Sequence, residues 1–248
     1  MGRGSGTRTA SARVRWTVRC SRRHATHGAH RMSRSYGLLC PIARSLDRVG
    51  DRWTLLMLRD LHAGPMRFGE FLAGLPGVAS NLLATRLQKL QSDGLVAQNG
   101  QLYSLTDLGR RTEGVLWELA LLGGQFPPDD NLKQPGHLRL VAVTLQNAMR
   151  RVVPDNIELV AEMVLDTESF TIEVNAGGNV AVRYGAPDTP AAVVTTSYEP
   201  MMAAAAGALP LEAFAAEHVH VEGPPEIAGA VGELMMRVLR EGFADTTP

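Results

Sequence analysis

Between residues 62 and 100 the chain is cut four times. His62-Ala-Gly-Pro65, Gly74-Leu-Pro-Gly77, Asp93-Gly94 and Asn99-Gly100 each set a glycine where a helix or strand would otherwise run on. In a helix interior glycine costs about 1 kcal/mol relative to alanine and proline about 3, so no long helix crosses these points. The pieces between them must be short elements joined by tight turns. Residues 45–61 carry an apolar stripe of Leu46, Val49, Trp53, Leu56, Met57 and Leu61, the spacing of one helix. A shorter helix follows Met66, using Phe68, Phe71 and Leu72, and a third spans 79–92, where Gly94 supplies the left-handed residue at its end. Asn99-Gly100 suits a two-residue hairpin turn between two short strands within 95–105. Three helices and a hairpin make a winged helix-turn-helix. Thr106-Asp-Leu-Gly-Arg then opens a last helix, with Leu108, Val115, Leu116, Leu119 and Leu122 as its apolar face.

The third helix carries the chemistry. With Leu83, Leu87 and Leu90 on the buried side, a wheel at about 100° per residue puts Asn81, Thr85 and Gln88 opposite, with Lys89 beside them. Asn and Gln pair with adenine edges, Ser and Thr contact bases or phosphates, and Lys and Arg anchor phosphates. The candidate DNA-binding residues are therefore Ser80, Asn81, Thr85, Arg86, Gln88 and Lys89, with Arg67 ahead of the second helix as a further phosphate clamp. An ordinary amphipathic helix is the competing reading, and the surrounding layout tips the balance toward DNA.

Cys40-Pro-Ile-Ala-Arg-Ser-Leu-Asp-Arg-Val-Gly-Asp-Arg-Trp, Gly64-Pro-Met-Arg-Phe-Gly-Glu-Phe, Leu83-Ala-Thr-Arg-Leu-Gln-Lys-Leu, Asp93-Gly-Leu-Val and Tyr103-Ser-Leu-Thr-Asp-Leu-Gly together resemble the HxlR-type winged-helix transcriptional regulators. The resemblance implies that the 79–92 helix reads the major groove of double-stranded DNA at a palindromic operator. It also implies a homodimer paired through the helices flanking the winged core. In one respect the chain departs from the pattern: Gln98-Asn-Gly-Gln101 has no cation, so more of the readout falls to the helix. The resemblance further implies a candidate redox-sensing role for Cys40. Pro41 favours the first position of a helix, which puts the thiol at the helix's N-terminal end, where the dipole favours a thiolate. A small buried cap residue under the first helix is the other reading of Cys40, and the preferred one.

The net charge of zero conceals an asymmetry. Residues 1–35 hold nine Arg and no acid, 36–130 hold nine bases against ten acids, and 131–248 hold seven bases against fifteen acids. The basic 1–35 tail lacks apolar periodicity, so disorder is expected there. It reads either as a basic arm that adds salt-sensitive DNA affinity or, the favoured reading, as sequence upstream of a true start at Met32; a transit-peptide character is the weaker resemblance. His24, His27 and His30 share a spacing but no apolar partner, so no metal site is assigned. Cys20 and Cys40 are the only cysteines, which fits a reducing, cytoplasmic compartment, and no membrane span is present.

Residues 127–137 are polar and proline-rich and read as a linker, separating a 36–126 DNA-binding domain from a 138–242 domain. After a helix over 138–152 the period changes to two. Ile157, Leu159, Ala161, Met163 and Leu165, then Phe170, Ile172 and Val174, then Val180, Val182 and Tyr184 alternate with polar residues. With 191–197 as a fourth strand and 218–222 as a fifth, an antiparallel sheet with one apolar face is expected. The element order from Tyr198-Glu-Pro-Met-Met, with Ala213-Phe214, Val219 to Gly223 and the amphipathic run from Pro225, is similar to the sterol carrier protein type 2-like domain. That resemblance implies an apolar tunnel between sheet and helices and a lipid or other apolar small-molecule effector, with Met163, Phe170, Met201, Met202 and Met235 as the candidate ligand pocket.

The fold class is thus α+β: an N-terminal winged helix-turn-helix domain followed by an α/β sterol-carrier-like domain, an antiparallel sheet packed with helices. No nucleophile elbow, phosphate loop or paired-cysteine site occurs, so no catalytic residue, no metal and no cofactor is assigned. The expectation is a cytoplasmic homodimeric transcriptional regulator, a repressor controlled by an apolar effector. Two alternatives stand beside it: a lipid carrier that uses the winged helix only to dimerise, and an oxidant or electrophile sensor working through Cys40.

Overall fold

The computed structural model describes residues 35–126 and 137–242. The expectations for the basic tail, and for all of the linker except His137, lie outside the described residues.

Helix α1 spans Pro41–Val49 and α2 spans Thr54–His62, so the single helix expected over 45–61 is two. The cause is local. A Cβ on Gly50 would come within 2.6 Å of the Leu46 carbonyl oxygen, and Asp51 Oδ1 accepts from the Trp53 N–H at 3.0 Å. A carboxylate that binds the backbone two residues on competes with the helix and turns the chain. Strand β1 (Met66–Arg67), α3 (Phe68–Gly74), α4 (Ser80–Ser92), β2 (Val96–Asn99) and β3 (Leu102–Leu105) complete a winged helix, with the sheet ordered β1-β3-β2. Its core joins Met57 and Leu58 of α2 to Phe71 of α3 and Leu83, Leu87 and Leu90 of α4.

The wing turns one residue later than expected. Asn99 pairs with Leu102, which leaves Gly100-Gln101 as the loop. Gly100 has φ +58 and Asn99 stays in the sheet; a loop that needs positive φ only at its first residue takes glycine there. The last helix is also broken, into α5 (Asp107–Arg110) and α6 (Glu113–Gly124), after Thr106 caps Gly109 N–H at 3.0 Å. Leu116 and Trp117 are buried, whereas Leu108, Val115, Leu119 and Leu122 of the expected apolar face point outward.

In the second half a 3-10 turn (Leu138–Leu140) leads into α7 (Val141–Val152). Strands β4 (Leu159–Leu165), β5 (Glu168–Asn175), β6 (Asn179–Tyr184), β7 (Ala192–Thr196) and β8 (His220–Glu222) form a sheet ordered β6-β5-β4-β7-β8. The inner face is the apolar one expected, including Met163, Phe170, Ile172 and Val194. Its direction pattern differs, because β7 runs parallel to β4. Since β6 and β7 point the same way from positions on opposite sides of the β4–β5 pair, residues 185–191 are a crossover rather than a hairpin. Alternation reports which face a residue takes and is silent on strand direction. Helices α8 (Tyr198–Ala205), α9 (Leu211–His218) and α10 (Pro225–Arg237) follow, ending in a π turn (Val238–Gly242).

The two halves share one core, in which Ala63 and Trp117 of the first pack among the apolar residues of the second. Polar contacts close one end of this seam. Asp60, wholly buried, pairs with Arg59 at 2.7 Å and lies 3.4 Å from His137 Nε2. Arg139, 6% exposed, donates to the Gly64 carbonyl at 3.1 Å and stacks over Tyr184 at 4.1 Å. The free edge of β6 is covered as well: Val182 N–H donates to Gln146, Tyr184 N–H donates to the Ala63 carbonyl, and Arg150 donates to the Val180 carbonyl. An edge strand satisfied in this way offers no template for a stray chain. His137, expected in the linker, is therefore part of the packed junction.

Candidate functional site

Helix α4 has two distinct sides. Leu83, Leu87 and Leu90 are buried, and Ser80, Asn81, Thr85, Gln88 and Ser92 are exposed. The exposed set from Asn81 follows steps of four, three and four, one face of a helix. Thr85 hydroxyl donates to the Asn81 carbonyl at 2.8 Å, and Asn81 Oδ1 accepts from Leu82 N–H at 2.8 Å. The Gln88 side chain stands at the centre of the face.

The flanking cations are held. Arg86 pairs with Asp51 at 2.6 Å, bracing α4 against the turn between α1 and α2. Lys89 pairs with Asp93 at 2.7 Å, and the same carboxyl receives Arg48 at 2.7 Å. To reach a phosphate, Arg86 or Lys89 must exchange one of these partners. Arg67 is exposed, with its backbone N–H donating to Glu70, and its side chain lines a cleft with Phe68, Gln98, Gln101 and Tyr103 between α3 and the wing. Gln91 of α4 donates to Gln98 of β2 at 3.2 Å, which ties the base of the wing to the helix.

Cys40 occupies the N-cap position of α1 with Pro41 next, but it is exposed rather than the buried cap expected, because residues 35–42 all lie on the surface, and its side chain makes no cap hydrogen bond. Around it Leu39, 95% exposed, and Ile42, 71% exposed, extend an apolar surface along the N-terminal segment. On α6, Val115, Leu119, Leu122 and, beyond its end, Phe126 form a second exposed apolar stripe.

A cavity of about 350 Å³ lies behind α6. Trp117, Ala120 and Leu121 wall one side, and Leu145, Met201, Met202, Met235 and Leu239 wall the other. Three of the five pocket residues expected from sequence are therefore in its wall. Met163 and Phe170 do not line it: both are fully buried in the sheet core, Phe170 with its ring edge-on to Tyr184 at 5.6 Å. Beside the cavity's α6 wall, Glu113 accepts from Arg150, Gln146 and Asn147. Burial alone would push its carboxyl up, yet the bonds from Arg150 and Gln146, with the charge of Arg150, hold it below the usual range. His62 Nε2 lies 3.1 Å from Thr112 Oγ1, whose own proton goes to the Gly109 carbonyl, so His62 is the donor. Burial pushes the His62 pKa down against the opposing pull of Glu113.

A model of the HxlR-like helix-turn-helix matches residues 48–131. An uncharacterised HTH-type transcriptional regulator of Synechocystis sp. is 33% identical over 97 residues, covering 36% of this chain and 72% of that protein. The chain belongs to the HxlR-like helix-turn-helix family. The HTH-type regulator YodB of Bacillus subtilis is 29% identical over 96 residues, 36% of this chain and 86% of its own length. A crystal structure of quinone-bound YodB from B. subtilis, 31% identical, covers 35% of this chain and 100% of that one with a TM-score of 0.34. The family match on this HxlR-like chain ends before α7, so most of the cavity wall lies beyond it. Sequence reasoning missed the seam residues Asp60, His137 and Arg139, because their partners are far apart in sequence. Nor does anything in the sequence around Trp117 announce the space beside it. Among the described residues no helix is long and apolar enough to cross a membrane.

Proposed function

We propose that this protein is a sequence-specific DNA-binding transcriptional regulator that acts as a homodimeric repressor. The observation that carries this reading is the exposed face of α4, in which Asn81, Thr85 and Gln88 stand opposite a fully buried leucine side, with Ser80 exposed at the helix's first position. A helix with that face, followed by a short wing, suits the major groove. Arg67 adds a free phosphate contact, and Arg86 and Lys89 join it by exchanging Asp51 and Asp93 for the DNA backbone. The exposed stripes on α1 and α6 support pairing with a second copy, since contiguous apolar patches of this kind mark interaction surfaces. The C-terminal half we read as a sterol-carrier-like module that binds an apolar effector, a reading supported by its one-faced sheet backed by helices.

The test is a titration of the full chain against duplex from its own upstream intergenic region and against scrambled duplex at physiological salt. The expected preference is ~10³-fold or more, reduced about 10- to 100-fold by Gln88→Ala. Equal weak binding to both, repeated across a random-sequence selection, overturns specific readout by α4 and returns the carrier reading. A second reading rests on the exposed Cys40 thiol at the start of α1: diamide or a quinone releases DNA, and Cys40→Ser abolishes the response. Unchanged affinity after oxidation removes that reading.

A further inference from the structure

We infer that the cavity between α6 and the helices α7, α8 and α10 is a binding site for an uncharged, apolar small molecule, and that its occupancy is read out through α6. The regulatory part of this inference rests on the regulator reading above; the binding part does not. The wall of the cavity of about 350 Å³ includes small residues from both halves, Ala120 and Gly124 on α6 and Ala205 and Ala206 at the end of α8. Interiors are otherwise packed to crystal density, with few voids larger than a water molecule, and small-ligand sites begin at about 300 Å³.

The chemistry of the wall selects the occupant. No ionisable side chain lines it. Its one side-chain hydroxyl, Thr144, already donates to the Val141 carbonyl at 2.9 Å. A charged ligand would lose its hydration with no charged side chain in the wall to compensate. Trp117, whose ring also carries the Arg151 guanidinium at 5.7 Å, contributes aromatic wall, while Met201, Met202 and Met235 adapt to shape; Met202 is 44% exposed. This is not a space between sheet and helices, since no strand residue lines it. One wall belongs to the winged-helix half.

That wall explains how occupancy is sensed. Helix α6 turns Trp117, Ala120 and Leu121 to the cavity and Val115, Leu119 and Leu122 to solvent. A molecule filling the cavity therefore sets the position of a helix whose other side meets the second copy. It shifts DNA affinity only to the extent that it prefers one arrangement of α6.

The experiment uses the full chain with Trp16→Phe and Trp53→Phe, which leaves Trp117 as the single tryptophan, titrated with 1-decanol and, separately, decanoate. The expected result is a saturable change in Trp117 emission with 1-decanol, at least ten-fold weaker with decanoate and at least ten-fold weaker in Ala205→Phe. Ala120→Leu fills the cavity from the opposite wall and serves if Ala205→Phe does not fold. A linear, non-saturating response, or equal saturation in a folded filled variant, overturns the site. So does a change of self-association in the filled variants with no saturable probe binding, which would assign the space to a second copy of the chain. Operator affinity measured with and without 1-decanol separates the two claims. Saturable binding in a chain with no specific DNA affinity keeps the site and removes the regulator reading; specific DNA binding without saturation does the reverse.

Discussion

The seam between the winged-helix half and the C-terminal half is built in two ways. Where α2 and α3 meet residues 137–140 and β6 it is closed by polar groups: Arg139 donates to the Gly64 carbonyl, Tyr184 N–H donates to the Ala63 carbonyl, and buried Asp60 faces His137 at 3.4 Å. Where α6 faces α7, α8 and α10 it is apolar and hollow. Polar contacts are directional and lose their worth over fractions of an ångström, so the closed end admits one arrangement of the halves. The Glu113 cluster, which also bonds across the seam, stands at the N-terminal end of α6, outside the cavity wall. The polar contacts fix how the halves meet, and the hollow between them can change its contents without one of those bonds being lost.

The largest effect that would break this contrast is at Asp60. Asp60→Ala strips a wholly buried carboxylate from Arg59 and from the neighbourhood of His137. The expected cost is about 3 kcal/mol in urea unfolding, at the low end for a broken buried pair because Arg59 keeps some water. A loss under about 0.5 kcal/mol, the usual range for surface changes, would mean that the buried Asp60 carboxylate contributes nothing to this end. Next is Gly74→Ala, whose Cβ would sit 1.7 Å from His137 Nε2. The ring cannot swing away freely, since its Nδ1 accepts from Arg139 N–H at 3.1 Å. Overpacking costs typically about 1–3 kcal/mol, against a gain of up to about 1 from replacing a helical glycine. His137→Ala in the same chain should restore most of the loss, and strict additivity of the two changes would place the clash elsewhere.

These residues also mark where sequence stops informing. The buried and exposed sides of α4 were legible because both follow one helical period, and the inner face of the large sheet was legible because period two is local. The break at Gly50 was not, because the apolar stripe runs through it and the deciding contact is the Asp51 carboxylate on its own backbone. Arg86 and Lys89 fell on the right flank of the wheel, but the acids that hold them come from another turn and from the helix end. His137 and Asp60 lie 77 positions apart, and nothing near either one announces the other. Met163 and Phe170 have the chemistry of a pocket wall, and only packing shows that they are filled core while Met201 and Met235 border a space.

At the hollow end a comparable insertion should be nearly silent. Ala206→Leu adds three carbons beside a cavity with room for them, and the expected change in stability is under about 1 kcal/mol in either direction, since filling space offsets ordering the side chain. The check is the same urea titration used for Gly74→Ala. If the two substitutions cost alike, the ends of the seam do not differ and the cavity is closed in solution.

The smallest effect is a pH dependence that sits beside the cavity's α6 wall, where His62 and Glu113 are neighbours. The His62 pKa is held below its ordinary value of 6.5 mainly by burial, so the folded state favours the neutral ring. A depressed folded value contributes stability that is complete above the unfolded pKa and is lost as pH falls through the folded one. Glu113, held below its ordinary 4.5 by Arg150 and Gln146 against the cost of burial, has the same sign at lower pH. Stability should therefore decline in two shallow steps on acidification, the first beginning near 6.5 and the second near 4.5. Thermal unfolding across this range checks it, with His62→Gln flattening the upper step and Glu113→Gln the lower. A midpoint that rises as pH falls from neutrality would show that the charged ring is the one the fold prefers, with Glu113 rather than burial in control of this part of the seam.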